Sequence, residues 1–160
     1  MINTGRSGLY DRIYQQLRDL ITGKSPDLTA AMATICAVLH HKMPHHLWTG
    51  FYFVASENRL QVGPYQGPVA CQVLEGRGVC LECARTRRPI VVPDVEQFAG
   101  HIACDPRSKS EIVVPVLARS SSGPGRVAAV LDIDAAELRQ FDEADVAQLE
   151  RIVSLLQPYV

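Results

Sequence analysis

Two short apolar runs constrain this fold most strongly. They are Ile112-Val113-Val114-Pro115-Val116-Leu117 and Val127-Ala128-Ala129-Val130-Leu131-Asp132-Ile133. Runs of this length, rich in Val and Ile, read as buried core strands. Ser120-Ser121-Ser122-Gly123-Pro124-Gly125 lies between them as a flexible hairpin loop. A third strand is predicted over Leu47–Val54, where alternation puts Trp48, Tyr52 and Val54 on one face and Phe51 and Phe53 on the other. Ser56-Glu57-Asn58 turns into a fourth strand, Arg59–Val62. A loop with two Gly and two Pro follows at 63–68, and Val69–Leu74 reads as a further strand carrying Cys71. Ile90–Val92 is one more short strand.

Helical periodicity occupies the rest. Ile13, Tyr14, Leu17, Leu20 and Ile21 give an amphipathic helix over Asp11–Ile21, ended by Gly23 and preceded by a polar lead, residues 1–10. Ser25-Pro26 reads as an N-cap with proline in the first turn. Leu28, Ala31, Met32, Ile35, Val38 and Leu39 then form one apolar face, with Cys36 beside it as core packing. His40, His41, His45 and His46 cluster around the end of that helix and read as a solvated feature favoured by the helix dipole. Gly76-Arg77-Gly78 opens a short helix over Val79–Arg87, with Cys80 and Cys83 in its first two turns, where thiols tend toward thiolate. Asp142 caps the last helix, with Phe141 and Val146 as a hydrophobic staple. The pattern is α+β, a sheet with helices packed on one face, in a single domain over 1–160.

Net charge is −1 and 47% of residues are hydrophobic. That balance excludes bulk electrostatic partners such as nucleic acid or an anionic membrane, and it argues against disorder. No run is long enough to span a bilayer and the N-terminus has no apolar signal region, so a cytoplasmic protein is expected. Five cysteines, an odd number in a reducing compartment, suit free, metal-binding or redox-cycling thiols better than a structural disulfide set.

The chemistry-bearing stretch is Gly100-His101-Ile102-Ala103-Cys104-Asp105-Pro106-Arg107-Ser108. It puts Cys104 in a turn-rich loop that feeds a core strand, reachable by a small molecule yet anchored by rigid structure. On the second core strand Val130, Asp132 and Asp134 share a face. Two carboxylates there read either as a pair at the mouth of a pocket or, for Asp134, as a cap beyond the strand end. The pairs Cys80/Cys83 and His101/Cys104 also have spacing that could close a tetrahedral zinc site.

Taken together, Trp48-Thr49-Gly50-Phe51-Tyr52, Gly67-Pro68-Val69-Ala70-Cys71, Gly76-Arg77-Gly78-Val79-Cys80, Gly100–Asp105, Ser110–Val113 and Val130–Asp134 resemble the free methionine-R-sulfoxide reductases. The resemblance runs from about Tyr10 to the C-terminus. It implies a GAF-like single domain with a central antiparallel sheet, no metal and no cofactor. It implies reduction of the R epimer of free methionine sulfoxide. Cys104 would be the attacking thiolate, Cys71 the resolving thiol and Cys80 an auxiliary thiol, with thioredoxin as reductant and a homodimer as assembly. Trp48 and Tyr52 would wall the substrate pocket. Glu111, Asp132 and Asp134 would hold the substrate ammonium or give a proton to the sulfoxide oxygen, without a division of those jobs. The segment between Cys71 and Cys80 is one residue shorter than the family pattern and Cys83 is extra, so Cys80 and Cys83 stand as rivals to Cys71. The other functional classes are a non-catalytic GAF module that binds a small ligand or senses oxidants through its thiols, and the zinc-site domain.

Overall fold

A computed structural model describes residues 4–160. The helices are α1 (Thr4–Ile21), α2 (Leu28–Lys42), α3 (Val79–Thr86) and α4 (Glu143–Val153). The strands are β1 (Trp48–Ser56), β2 (Arg59–Gln66), β3 (Val73–Glu75), β4 (Ile90–Val92), β5 (Ser110–Leu117) and β6 (Val127–Ala135). They form one sheet in the order β3-β2-β1-β6-β5-β4, and every neighbouring pair is antiparallel. The two apolar runs pair with each other as β5 and β6, and β1 lies on the far side of β6.

Alternation divides the sheet into two faces. Phe51, Ile112, Val114, Val116, Ala129, Leu131 and Ile133 point to one side, into a core with Ile13 and Leu17 of α1, Met32, Ile35 and Leu39 of α2, and Leu149 and Ile152 of α4. Each of the larger side chains, fully withdrawn from water, contributes about 1.5–3 kcal/mol. Trp48, Tyr52, Val113 and Val130 point to the other side, under α3 and its flanking loops. The three long helices thus share one face, as the sequence predicts, and the short α3 covers the opposite one.

The polar lead predicted at 1–10 is corrected over its described part, since α1 already starts at Thr4; residues 1–3 lie outside the described residues. Gly5 and Gly8 lower helix propensity and hide this start. Tertiary bonds compensate: Arg6 donates to Gln140 O and to Asp145 Oδ2, and the buried Tyr10 hydroxyl donates to Asp145 Oδ1 at 2.9 Å. Asp145 also accepts from the Asp142 N–H, completing a capping box at α4 with Asp142 as N-cap. The cap of α2 is Asp27, not Ser25; its carboxylate accepts from Ala30 N, with Pro26 left outside the helix.

Three strand boundaries also differ. β2 continues through Gly63 and Pro64 to Gln66. A register irregularity opposite Phe51 accommodates these residues, and a proline can sit there without a ladder bond. The predicted strand over Val69–Leu74 shrinks to Val73–Glu75, which leaves Cys71 in a loop. Gly67, at φ +116 and packed against Leu47 O and Trp48, turns the chain into that loop. β6, by contrast, runs two residues beyond Ile133, so Asp134 is a strand residue and not a cap.

Candidate active site

The second face of the sheet carries a pocket. β1 contributes Trp48 and Tyr52, β5 Glu111, β6 Asp132 and Asp134, α3 Val79, Cys80 and Leu81, and the 98–109 loop His101, Cys104 and Ser108. Trp48 can lie across the sheet because Gly50 has no side chain: a Cβ there would sit 2.3 Å from the indole. The indole stacks between Tyr52 and Tyr65, with ring centroids 5.7 and 5.3 Å away. The Tyr52 hydroxyl donates to the Cys71 carbonyl at 3.0 Å, which ties the Cys71 loop to the pocket wall.

Cys71 and Cys104 are joined by a disulfide, with Cα atoms 5.5 Å apart across 33 residues of sequence. Cys104 lies on the exposed surface of its loop and Cys71 is half-buried. Cys36, Cys80 and Cys83 are free and buried. Cys36 packs in the helix-covered core, where its Sγ lies 3.3 Å from Pro64 O. The thiolate expectation for Cys80 and Cys83 is corrected. Burial pushes both thiols up, and the nearby carboxyls Asp132 and Glu111 push them further. Desolvation and the neighbouring carboxyls outweigh the helix N-terminus.

Beneath the disulfide sits a cluster of three carboxyls. In the β5–β6 register Glu111 lies opposite Asp134, and Val113 opposite Asp132. Glu111 and Asp132 are buried and Asp134 is half-buried, and desolvation raises each of them. Burial pushes Asp132 up to about 6, and the neighbouring Glu111 carboxyl and Cys80 thiol offset part of that desolvation. Glu111 and Asp134 rise well above the ordinary carboxyl range, with Asp132 beside them as a second cause. Three acids this close and this dry do not all ionise at neutral pH, so the cluster keeps protons and can give them up. Ser108 Oγ donates to Asp134, and His101 Nδ1 is 3.8 Å from Glu111 Oε2. Among the described residues the Trp48 indole N–H and Asp132 Oδ1 are buried without a partner, one unmatched donor and one unmatched acceptor in the pocket wall.

The pocket therefore gathers Trp48, Tyr52, Cys80, Cys104, Glu111, Asp132 and Asp134, with Cys71 bound at its rim. Ser108 joins the carboxyl cluster without having been singled out by type or spacing, and His101, singled out only as a zinc candidate, lies beside Glu111 instead; no sequence pattern pairs a loop serine with a strand carboxylate 26 residues later. The four zinc candidates do not converge. Cys104 sulfur is bonded to Cys71, and among the described residues the donor atoms that approach within 4.8 Å of one another are those of Cys80, Glu111 and Asp132. The solvated reading of the histidine cluster holds for the exposed His41 and is corrected for His46. His46 is buried, its Nδ1 is 3.2 Å from Thr49 Oγ1, and desolvation holds its pKa well below the ordinary value. Among the described residues no helix is long and apolar enough to cross a membrane.

The GAF domain family matches residues 25–157. GAF domain-containing protein A of Dictyostelium discoideum is 40% identical over 92% of this chain and 89% of its own length. The free methionine-R-sulfoxide reductase of Saccharomyces cerevisiae is 45% identical over 68% of this chain and 60% of its own. The structure of free methionine-R-sulfoxide reductase from Neisseria meningitidis in complex with its substrate superposes with a TM-score of 0.87 and 36% identity, covering 96% of this chain and 89% of that one. The chain belongs to the GAF domain family and, within it, to the free methionine-R-sulfoxide reductases.

Proposed function

We propose that this chain reduces the R epimer of free methionine sulfoxide to methionine with Cys104 as nucleophile. The observation that carries the reading is a disulfide at the rim of a pocket whose floor is three protonatable carboxyls. A sulfoxide oxygen does not leave as bare oxide; it needs a proton, and the Glu111–Asp132 pair holds one where it is needed. The Cys104 thiolate adds to the sulfoxide sulfur while Glu111 protonates the oxygen. Methionine departs and the oxygen stays on Cys104 as a sulfenic acid. The Cys71 thiol then attacks that sulfur, water leaves, and the Cys71–Cys104 bond forms. A dithiol partner of the thioredoxin kind returns two electrons and two protons, so the chain needs no cofactor. Trp48 and Tyr52 wall the S-methyl group, with the indole N–H as a donor to the substrate. Asp132 and Asp134 take the ammonium of the free amino acid.

The test is methionine release from separate R and S epimers of free methionine sulfoxide with dithiothreitol as reductant. The intact protein turns over the R epimer alone, and Cys104→Ser loses about a thousandfold or more in rate, the scale of a lost nucleophile. Equal rates on both epimers, or a Cys104→Ser variant that still turns over, would end this reading. A fully reduced protein that binds methionine sulfoxide without reducing it would make the chain a ligand-binding GAF module instead.

A further inference from the structure

Cys83 has no part in the reaction above, yet it is fully buried three residues after Cys80 on α3. Both thiols are free, and both lie in the core on the pocket side of the sheet. Cys80 lines the same pocket as Cys104, and its Sγ lies within 4.8 Å of carboxylate oxygens of Glu111 and Asp132, close enough to pass its proton to Asp132. Residues three apart on a helix hold their Cβ atoms about 5–6 Å apart, against about 3.5–4.5 Å in a disulfide. The first turn of α3 must therefore tighten by only an ångström or two. It can do so at small cost, because the first N–H groups of the helix have no intrahelical partner and the bond that closes this turn, Glu82 N–H to Gly78 O, can shift toward 3-10 spacing. Gly78, at φ +122, gives it a hinge without side-chain contacts of its own.

We infer that Cys80 and Cys83 form a second redox pair, which draws oxidising equivalents from the Cys71–Cys104 disulfide and frees Cys104 for another turnover before any external reductant arrives. The exchange balances. Cys80, its proton passed to Asp132, attacks the Cys104 sulfur; the Cys80–Cys104 bond forms, the Cys71–Cys104 bond breaks, and Cys71 leaves as thiolate and takes up a proton. Cys83 then loses its proton and attacks the Cys80 sulfur. The Cys80–Cys83 bond forms, and Cys104 leaves as thiolate and takes up the proton that Cys83 gave. Two electrons and two protons have moved from the α3 pair to the rim pair. The two-turnover consequence rests on the reductase reading; the existence of the pair does not.

The experiment uses the full chain, reduced and freed of dithiothreitol without air. In one arm it meets excess methionine-R-sulfoxide with no reductant, and methionine is counted per chain. In the other arm it receives two equivalents of diamide and no substrate, and disulfides are mapped by mass spectrometry of acid-quenched peptides. The intact chain is expected to release about two methionines, and Cys83→Ala and Cys83→Val about one each, since one pair stores one turnover. With dithiothreitol present, the steady-state rates of these variants match the intact chain. Diamide is expected to give Cys71–Cys104 and Cys80–Cys83 together, leaving Cys36 as the thiol. One methionine from the intact chain, or two from both Cys83 variants, overturns the inference. So does a diamide map without Cys80–Cys83. No methionine from the intact chain, beside a map that contains Cys80–Cys83, would instead count against the reductase reading and leave the second pair standing.

Discussion

The two faces of the sheet come from alternate residues of the same strands, and they solve opposite problems. On β6, Leu131 and Ile133 enter a core sealed by α1, α2 and α4, while Val130, Asp132 and Asp134 face α3 and the cysteine loops. The first face buries one carboxylate with full compensation: Asp145 accepts from Arg6, from Tyr10 and from the Asp142 N–H. The second sets three carboxyls side by side, Glu111 and Asp132 buried and Asp134 half-buried, with a serine and a histidine for company. A buried charge that is matched supports the fold; buried acids left unmatched hold protons and wait for a cation. The covering differs in the same sense. Three helices close one face, whereas an eight-residue helix and two loops close the other.

The sharpest way to break this contrast is to remove one acid from each face. Asp145→Ala strands the Arg6 charge and the Tyr10 hydroxyl and opens the capping box, and is expected to cost about 3–5 kcal/mol of stability. Urea unfolding measures it. The activity of the molecules that remain folded should hold, and a loss below about 1 kcal/mol would show that the matched side is not what supports the fold. Asp132→Asn should do the reverse: about a hundredfold loss of kcat/KM, equivalent to about 2.7 kcal/mol of transition-state binding, with stability at pH 7 kept within about 1 kcal/mol. A variant that unfolds while its specific activity persists would move Asp132 to the structural side of the comparison.

A subtler separation uses pH. Burial raises the folded-state values of Asp132, Glu111 and Asp134, so the folded protein holds protons that the unfolded chain has released. Their stabilising contribution is complete below the ordinary carboxyl range near pH 4, and it fades as pH rises through about 6 for Asp132 and higher for the other two. His46 acts in the opposite direction: with its folded value lowered, its contribution is present above the ordinary histidine value and fades as pH falls. The difference curve between the intact chain and Asp132→Asn removes the histidine contribution. Between pH 4 and 7 the intact chain is expected to lose about 2 kcal/mol relative to the variant. A flat difference would mean that the acids are not desolvated in solution.

The smallest effect belongs to neither face. Arg59 and Glu75 form an exposed pair at 2.7 Å between β2 and the edge strand β3. Glu75→Ala should change stability by less than about 1 kcal/mol and should lose that effect in salt. A larger change would mean that edge pairing holds the Cys71 loop in place.

Local chemistry and periodicity made much of this protein legible in the sequence. The β5–β6 hairpin, the split of Trp48 and Tyr52 from Phe51 and Phe53, the apolar face of α2, and the Asp142 cap all follow from side-chain alternation, helical spacing and capping residues that act within a few positions. The blocks around Cys71, Cys80, Cys104 and Asp132 likewise carried the family. Tertiary structure alone decided the rest. The first turns of α1 exist because Asp145, more than 130 residues away, holds Arg6 and Tyr10. Cys71 sits in a loop because Gly67 and the Tyr52 hydroxyl steer it there against its own strand-like pattern. Cys80 and Cys83 are held as thiols, although a helix N-terminus favours thiolate, because burial beside Asp132 and Glu111 outweighs the dipole. Capping and alternation are set by neighbours along the chain. Desolvation, and the company a charge keeps, depend on which distant residues the fold brings together, and no local pattern encodes them.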